Sequence, residues 1–338
     1  MKKLISTIVM SVAIAASFFA STANAQPPQH GMPAGMDVPQ VSPMSEEYKA
    51  DLNRELAPRG EKIGLLIVSH GSGSPTWNAL IEEICDNVRA LDAKDHVFAA
   101  IEGCNMEFDH ENDIVAGFSR LEKAGCDAVV VVPVFIYPTS HVQFDVVTIL
   151  GIYGDPKARE DAHEEGARIL RTKLPIALAP TFSAGDLLKD YVVSEAKKTS
   201  VDPKNERLLV IAHGDEEYQG LVDRLTQSAI DAAAEEVGFD AVGTAYCEMG
   251  QTFAKNVKPV VEKNTKDGKK TVVVAIYLAS SAKNFLARIT ASPMGATKDN
   301  PKPNSLEGLD YVGSETALGK FEGTAPYIYE VAVETSKN

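Results

Sequence analysis

Cysteine is scarce in this chain: four residues in 338 (Cys85, Cys104, Cys126 and Cys247), none in a C-x-x-C pair, which favours buried thiols over a disulfide framework. Basic charge is also in deficit. Thirty-three Lys and Arg face 47 Asp and Glu, for a net charge of −14, and that balance argues against nucleic acid and anionic membrane as partners. Long apolar runs are absent after the first: Leu4 to Ala20 is interrupted by Ser6, Thr7, Ser11 and Ser17, too short and too broken for a comfortable membrane span. No Gly-x-Ser-x-Gly arrangement surrounds Ser72 or Ser74, which disfavours a serine hydrolase. A histidine-nucleophile phosphatase needs an arginine just before its His-Gly to hold phosphate, and Ser69 stands there.

What is present begins with a targeting signal. Lys2 and Lys3 precede the apolar run, and Ala23-Asn24-Ala25 is a small-x-small cleavage site, so residues 1–25 read as a signal peptide and the rest as an exported, periplasmic protein. No cysteine stands at the cleavage point, so no lipid anchor is expected. Removal of Lys2 and Lys3, with no acidic residue in that stretch, takes the charge from −14 to −16. Residues 26–60 carry six prolines with Met32, Met36, Met44 and His30 and little apolar periodicity; they read as a flexible linker, with soft-metal capture as the rarer alternative.

The rest is a duplication. Leu65-Leu66-Ile67-Val68-Ser69-His70-Gly71 and Leu208-Leu209-Val210-Ile211-Ala212-His213-Gly214 are short apolar runs closed by His-Gly, the pattern of a buried parallel strand delivering an imidazole at its carboxyl end. Each is followed by an amphipathic helix, a strand with a cysteine near its end, a second helix and a very apolar strand, at Val129–Tyr137 and Val272–Leu278. Two halves of roughly 140 residues are each domain-sized. The expected fold is α/β, two similar domains at 61–200 and 201–338, each a mostly parallel sheet flanked by helices, with a cleft between them. Within the first, strand two is expected over His96–Ile101, ending at Glu102, and a fourth strand around Pro175–Ala179; in the second, Pro326–Glu334 reads as a last edge strand.

His70, Glu102 and His141 then each lie at or just past the carboxyl end of a strand of the first half. Two imidazoles and a carboxylate with open positions suit a borderline divalent cation such as cobalt, nickel, iron or zinc. The second half lacks the set, because Lys283 replaces the second histidine and Ala245 is read at the place of Glu102. His96 reads as a strand start and His163 as exposed helix surface. The run Glu107–Asp113 reads as a solvated acidic loop, with His110 as an accessory metal ligand in the alternative.

His70-Gly71-Ser72, the strand-end Glu102 and Val132-Pro133-Val134-Phe135-Ile136-Tyr137-Pro138-Thr139-Ser140-His141-Val142 resemble the sirohydrochlorin cobaltochelatase and ferrochelatase family, the class II chelatases, over Lys62 to about Phe285. The resemblance implies a lyase that inserts a divalent metal into sirohydrochlorin or a related tetrapyrrole, with Co²⁺ foremost and Fe²⁺ or Ni²⁺ as further metal substrates. It implies His70 and His141 as metal ligands and Glu102 as the acidic residue, sharing proton transfer or holding the metal's charge. His213 and Lys283, from the second half, would meet the acidic side chains of the macrocycle in the cleft. A homo-oligomer is compatible with this reading. The rival is an exported chelatase fold that binds haem, a metal-free tetrapyrrole or a metal ion without turnover.

Overall fold

The computed structural model describes residues 60–337 apart from 108, 110, 165 and 248–251; residues 1–59, which hold the stretches read above as signal peptide and linker, and His110 lie outside the described residues. In the first half, β1 (Ile63–Ser69), β2 (Ala100–Asn105), β3 (Ala128–Pro133) and β4 (Ile176–Leu178) form a parallel sheet in the order β2-β1-β3-β4. In the second half, β5 (Glu206–Ala212), β6 (Val242–Tyr246), β7 (Lys270–Ile276) and β8 (Tyr311–Gly313) repeat it as β6-β5-β7-β8. The central strands are covered on both faces, hence their unbroken apolar runs. Leu65 and Ile67 of β1 face one cluster while Leu66 and Val68 face another, as the two-residue period of a strand requires.

Helices complete each half: α1 (Pro75–Asp95), α2 (Ile114–Lys123), a wide π-type turn His141–Val146 running into α3 (Val147–Ile149), α4 (Pro156–Glu164) and α5 (Leu187–Thr199) in the first, and α6 (Gln219–Val237), α7 (Phe253–Asn256), α8 (Lys258–Lys266), α9 (Ala282–Ala291) and α10 (Thr324–Lys337) in the second. The last helix of each half lies on the other half's sheet. Helix α5 packs on α6 and β7, and its buried Tyr191 hydroxyl donates to the Ala275 and Thr316 carbonyls at 2.9 and 3.0 Å. Helix α10 packs on α1, β3 and β4, with the Tyr327 hydroxyl donating to the Thr181 carbonyl at 2.6 Å and the Tyr329 hydroxyl to Asp95 at 3.1 Å. One apolar core therefore runs between the two sheets, from Leu65 and Ile67 through Tyr191 and Ile328 to Val272 and Val274.

Three expectations are corrected. Pro326–Glu334 is helix, not strand: Ala325, Ile328 and Ala332 are buried at helical spacing, and Pro326 sits in the first turn, where its missing N–H costs nothing. The alternation of Tyr327, Tyr329, Val331 and Val333 imitated a strand; the fourth strand of that sheet is β8. His96 does not open β2. It caps α1 in the left-handed region at φ +52°, and the Asp92 carboxylate accepts the Val97 and Phe98 amides, so pairing starts only at Ala100. The repeat register also moves. Leu66 pairs with Glu102 and Leu209 with Gly243, so Gly243, not Ala245, stands at the place of Glu102. All four cysteines are buried and none forms a disulfide.

Candidate metal centre

The apolar strands β1 and β3 end side by side, and the residues that follow are the two histidines. His70 succeeds Ser69, whose hydroxyl donates at 2.8 Å to Asn105 at the end of β2. The chain then turns at Gly71 with φ +90°, where a Cβ would come within 2.4 Å of the Glu107 carbonyl oxygen, so only glycine lets the first loop lie against the second. The Met106 and Glu107 amides in turn donate to the carbonyls of Ser69 and His70 at 2.7 and 3.0 Å. That zipper carries Glu107 to His70. His141 opens the π-type turn after β3, with its ring centroid 4.8 Å from that of His70 at 81°, and Phe135 flanks both rings at 6.5 and 6.0 Å. One donor atom from each of His70, Glu107 and His141 lies within 4.8 Å of the other two.

Hydrogen bonds orient both imidazoles. His70 Nδ1 lies 3.0 Å from the Gly71 carbonyl oxygen, which can only accept, so Nδ1 carries the proton and Nε2 the lone pair of a neutral ring. His141 Nδ1 lies 2.8 Å from Asp145 Oδ2, one helical turn on, which leaves Nε2 as ligand atom in the same way. The bond to Asp145 pushes the His141 pKa above its ordinary value; partial burial opposes this, and the charges of Asp145, Glu107 and Asp215 add to it. Asp215 belongs to the second half and accepts from the Ser140 hydroxyl at 3.1 Å, so the centre stands where the two halves meet.

The carboxylate read from sequence is replaced by another. Glu102 lies within β2, three residues before its end, on the face that Leu66 shares, and its side chain is paired at 2.5 Å with Arg120 of α2. It is not part of the cluster; because β2 starts four residues later than read, the carboxyl-end position falls to Glu107 instead. Glu248 follows Tyr246 by two positions as Glu107 follows Asn105, the strand residues that pair with Ala212 and Ser69, but counted from the His-Gly histidines the second half is two residues shorter there, which hides the match in the sequence. In the second half His213 keeps the geometry of His70, its Nδ1 2.8 Å from the Gly214 carbonyl oxygen and its ring 6.5 Å from Tyr277. It is exposed, as is Lys283, whose ammonium lies 3.7 Å from Glu315; neither belongs to the cluster of His70, Glu107 and His141. His163 is exposed on α4.

Residues 64–198 match the CbiX family model. Over 89 residues the chain is 33% identical to a sirohydrochlorin cobaltochelatase of Methanococcus maripaludis, a match covering 26% of this chain and 58% of that protein. It is 23% identical over 137 residues to one from Saccharolobus solfataricus, covering 40% of this chain and 95% of the relative. Among solved structures, SirB from Bacillus subtilis with Fe³⁺ superposes with a TM-score of 0.56 at 19% identity, over 82% of this chain and 96% of that one. The sirohydrochlorin chelatase SirB of Bacillus subtilis subspecies spizizenii in complex with cobalt does so with a TM-score of 0.54 at 16% identity over the same shares. These two likenesses bear on the fold, and the sequence match falls on the half that holds the two histidines. Over residues 64–198, the half that holds the two histidines, the chain matches the CbiX family model and is similar to sirohydrochlorin cobaltochelatases.

Proposed function

We propose that the chain is an exported, periplasmic chelatase that inserts a divalent metal, Co²⁺ foremost, into sirohydrochlorin or a related tetrapyrrole. The observation that carries the reading is the cluster of His70, Glu107 and His141 at the carboxyl ends of three adjacent parallel strands. Two Nε2 lone pairs and one carboxylate make three ligands for a borderline cation and leave further positions open, so the ion can be held while nitrogens of a macrocycle replace its waters. Insertion releases two pyrrole protons for each metal taken up. Glu107, beside the cation, has lone pairs to accept one. The centre stands where the two halves meet, and a planar substrate there would contact residues of both.

The test is direct. Full-length protein is mixed with sirohydrochlorin and Co²⁺, then with Fe²⁺ and Ni²⁺, and the absorption spectrum is followed. Insertion that persists at wild-type rate in both His70→Ala and His141→Ala would remove the site from the reaction.

A further inference from the structure

The segment that delivers His141 is held first by one half and then by the other. Val134, Phe135 and Ile136 stay with the first half: the Val134 amide donates to the Val68 carbonyl at 2.7 Å, and the Phe135 and Ile136 carbonyls accept from the Phe182 and Ser183 amides at 3.0 Å. From Tyr137 to Ser140 two side-chain anchors lie in the second half. The buried Tyr137 hydroxyl donates at 2.7 Å to Thr226 Oγ1 of α6, which gives its own proton to the Val222 carbonyl. The Ser140 hydroxyl donates to Asp215 Oδ2 at 3.1 Å. Ser140 precedes His141, so this second anchor acts one peptide away from the ligand.

The Asp215 carboxylate is itself fixed. Its Oδ1 accepts the Glu217 and Tyr218 amides of its own loop, both at 3.0 Å, which leaves Oδ2 turned to Ser140. The arrangement is one-sided. With His70 aligned on His213 and His141 on Lys283, Ser72 stands at the place of Asp215, Ala279 at that of Tyr137 and Ala282 at that of Ser140. Alanine has no hydroxyl to donate, so neither anchor can be repeated around Lys283. Contacts that merely join the halves show no such bias: the Tyr191 hydroxyl crosses from the first half to the second, and that of Tyr327 from the second to the first. Bonds that fix a ligand before the cation arrives reduce the freedom lost on binding, and so raise affinity.

We propose that Asp215 is a positioning residue of the metal centre: through Ser140 it sets the approach of His141 Nε2 to the cation, so the half without a metal site orients a ligand of the half that has one. This rests on the chelatase reading above, in which His141 holds the metal.

The experiment measures Co²⁺ affinity of full-length protein by calorimetry and the visible d–d bands of bound Co²⁺, which report coordination geometry, with denaturant midpoints as control. Asp215→Ala and Ser140→Ala should each weaken Co²⁺ about tenfold and alter the bands at saturation. The double variant should lose no more than either single one, because the same bond is removed in all three. Asp215→Asn can keep the bridge, with Oδ1 on the two amides and Nδ2 on Ser140 Oγ, and should hold affinity within about threefold of wild type. Tyr191→Phe, which breaks a contact between the halves away from the centre, should lower the midpoint and leave both Co²⁺ readouts unchanged. Wild-type affinity and bands in Asp215→Ala, losses that add in the double variant, or an equal loss in Tyr191→Phe overturn the proposal while the chelatase reading stands. Should Asp215→Ala fail to fold, Ser140→Ala decides on the same criteria. Failure of the wild-type protein to bind Co²⁺ sinks the chelatase reading, and the proposal with it.

Discussion

His141 and Lys283 occupy the same station in the two halves: each lies nine positions after the strand residue, Val132 or Val274, that pairs with Ile67 or Val210 three positions before the His-Gly histidine. The second half therefore differs from a metal site by one side chain at that station. Lys283→His should add a second, weaker Co²⁺ equivalent in calorimetry, with His213 as its partner, while His213→Ala in the native sequence should leave Co²⁺ affinity within about twofold. Loss of the native Co²⁺ site in His213→Ala would make the second half a ligand donor.

The two glutamates separate cleanly. Glu107→Gln should weaken Co²⁺ binding by at least about tenfold with little effect on stability. Glu102→Gln should leave Co²⁺ binding unchanged and lower stability by about 1 kcal/mol, since it breaks a half-buried pair with Arg120. Denaturant midpoints and calorimetry on the same samples decide; the opposite pattern would restore Glu102 as the ligand.

Protons compete with the cation for His141. Because Asp145 raises its pKa above about 6.5, Co²⁺ affinity should climb with pH through a midpoint on the alkaline side of that value. Asp145→Asn should move the midpoint downward and lower the plateau affinity. In the metal-free protein the sign is reversed: the folded pKa is the higher one, so the pair's contribution to stability is present below the unfolded value and fades as pH rises through the folded one. Thermal unfolding across that range, with and without Co²⁺, should show the two opposing slopes.

The thiols should be silent in the native state. Burial pushes Cys85 up to about 12 and Cys104 well above its ordinary value, so neither supplies thiolate at neutral pH. An aromatic disulfide reagent should find no fast thiol in folded protein and four after denaturation. A fast native equivalent would contradict the packing of these residues.

A fragment ending at residue 200 should not fold cooperatively. It would keep α5 without α6 and β7, and would lose α10 from the face of its own sheet. Tyr191→Phe in the full chain, which removes two buried hydrogen bonds without a cavity, should cost about 1–3 kcal/mol by denaturant titration.

The strands that carry the histidines were legible because both faces are buried: the unbroken runs before His70 and His213 admit few other readings. The start of β2 was not, since Val97 and Phe98 are apolar for core packing while their amides are held by the Asp92 side chain, a turn that no periodicity announces. That displaced the strand end and selected Glu102 over Glu107. Helix α10 imitates a strand because the partly buried residues beside its buried stripe, Tyr327, Tyr329, Val331 and Val333, are β-branched and aromatic in alternation, and the partner that makes it a helix, the first half's sheet, is more than a hundred residues away in sequence. The exchange of α5 and α10 was invisible for the same reason: periodicity names the buried face of a helix and not the surface that buries it.

That exchange bears on how the asymmetry arose. A single half that lends out its last helix is incomplete alone and is made whole by a second copy, so the simplest ancestor is a symmetric homodimer in which every substitution appears twice. In such an ancestor a lysine in place of His141 would have abolished both metal sites at once. Only after gene fusion could one copy surrender its ligand while the other kept it, and the retained covering helix explains why the surrendered copy was never discarded.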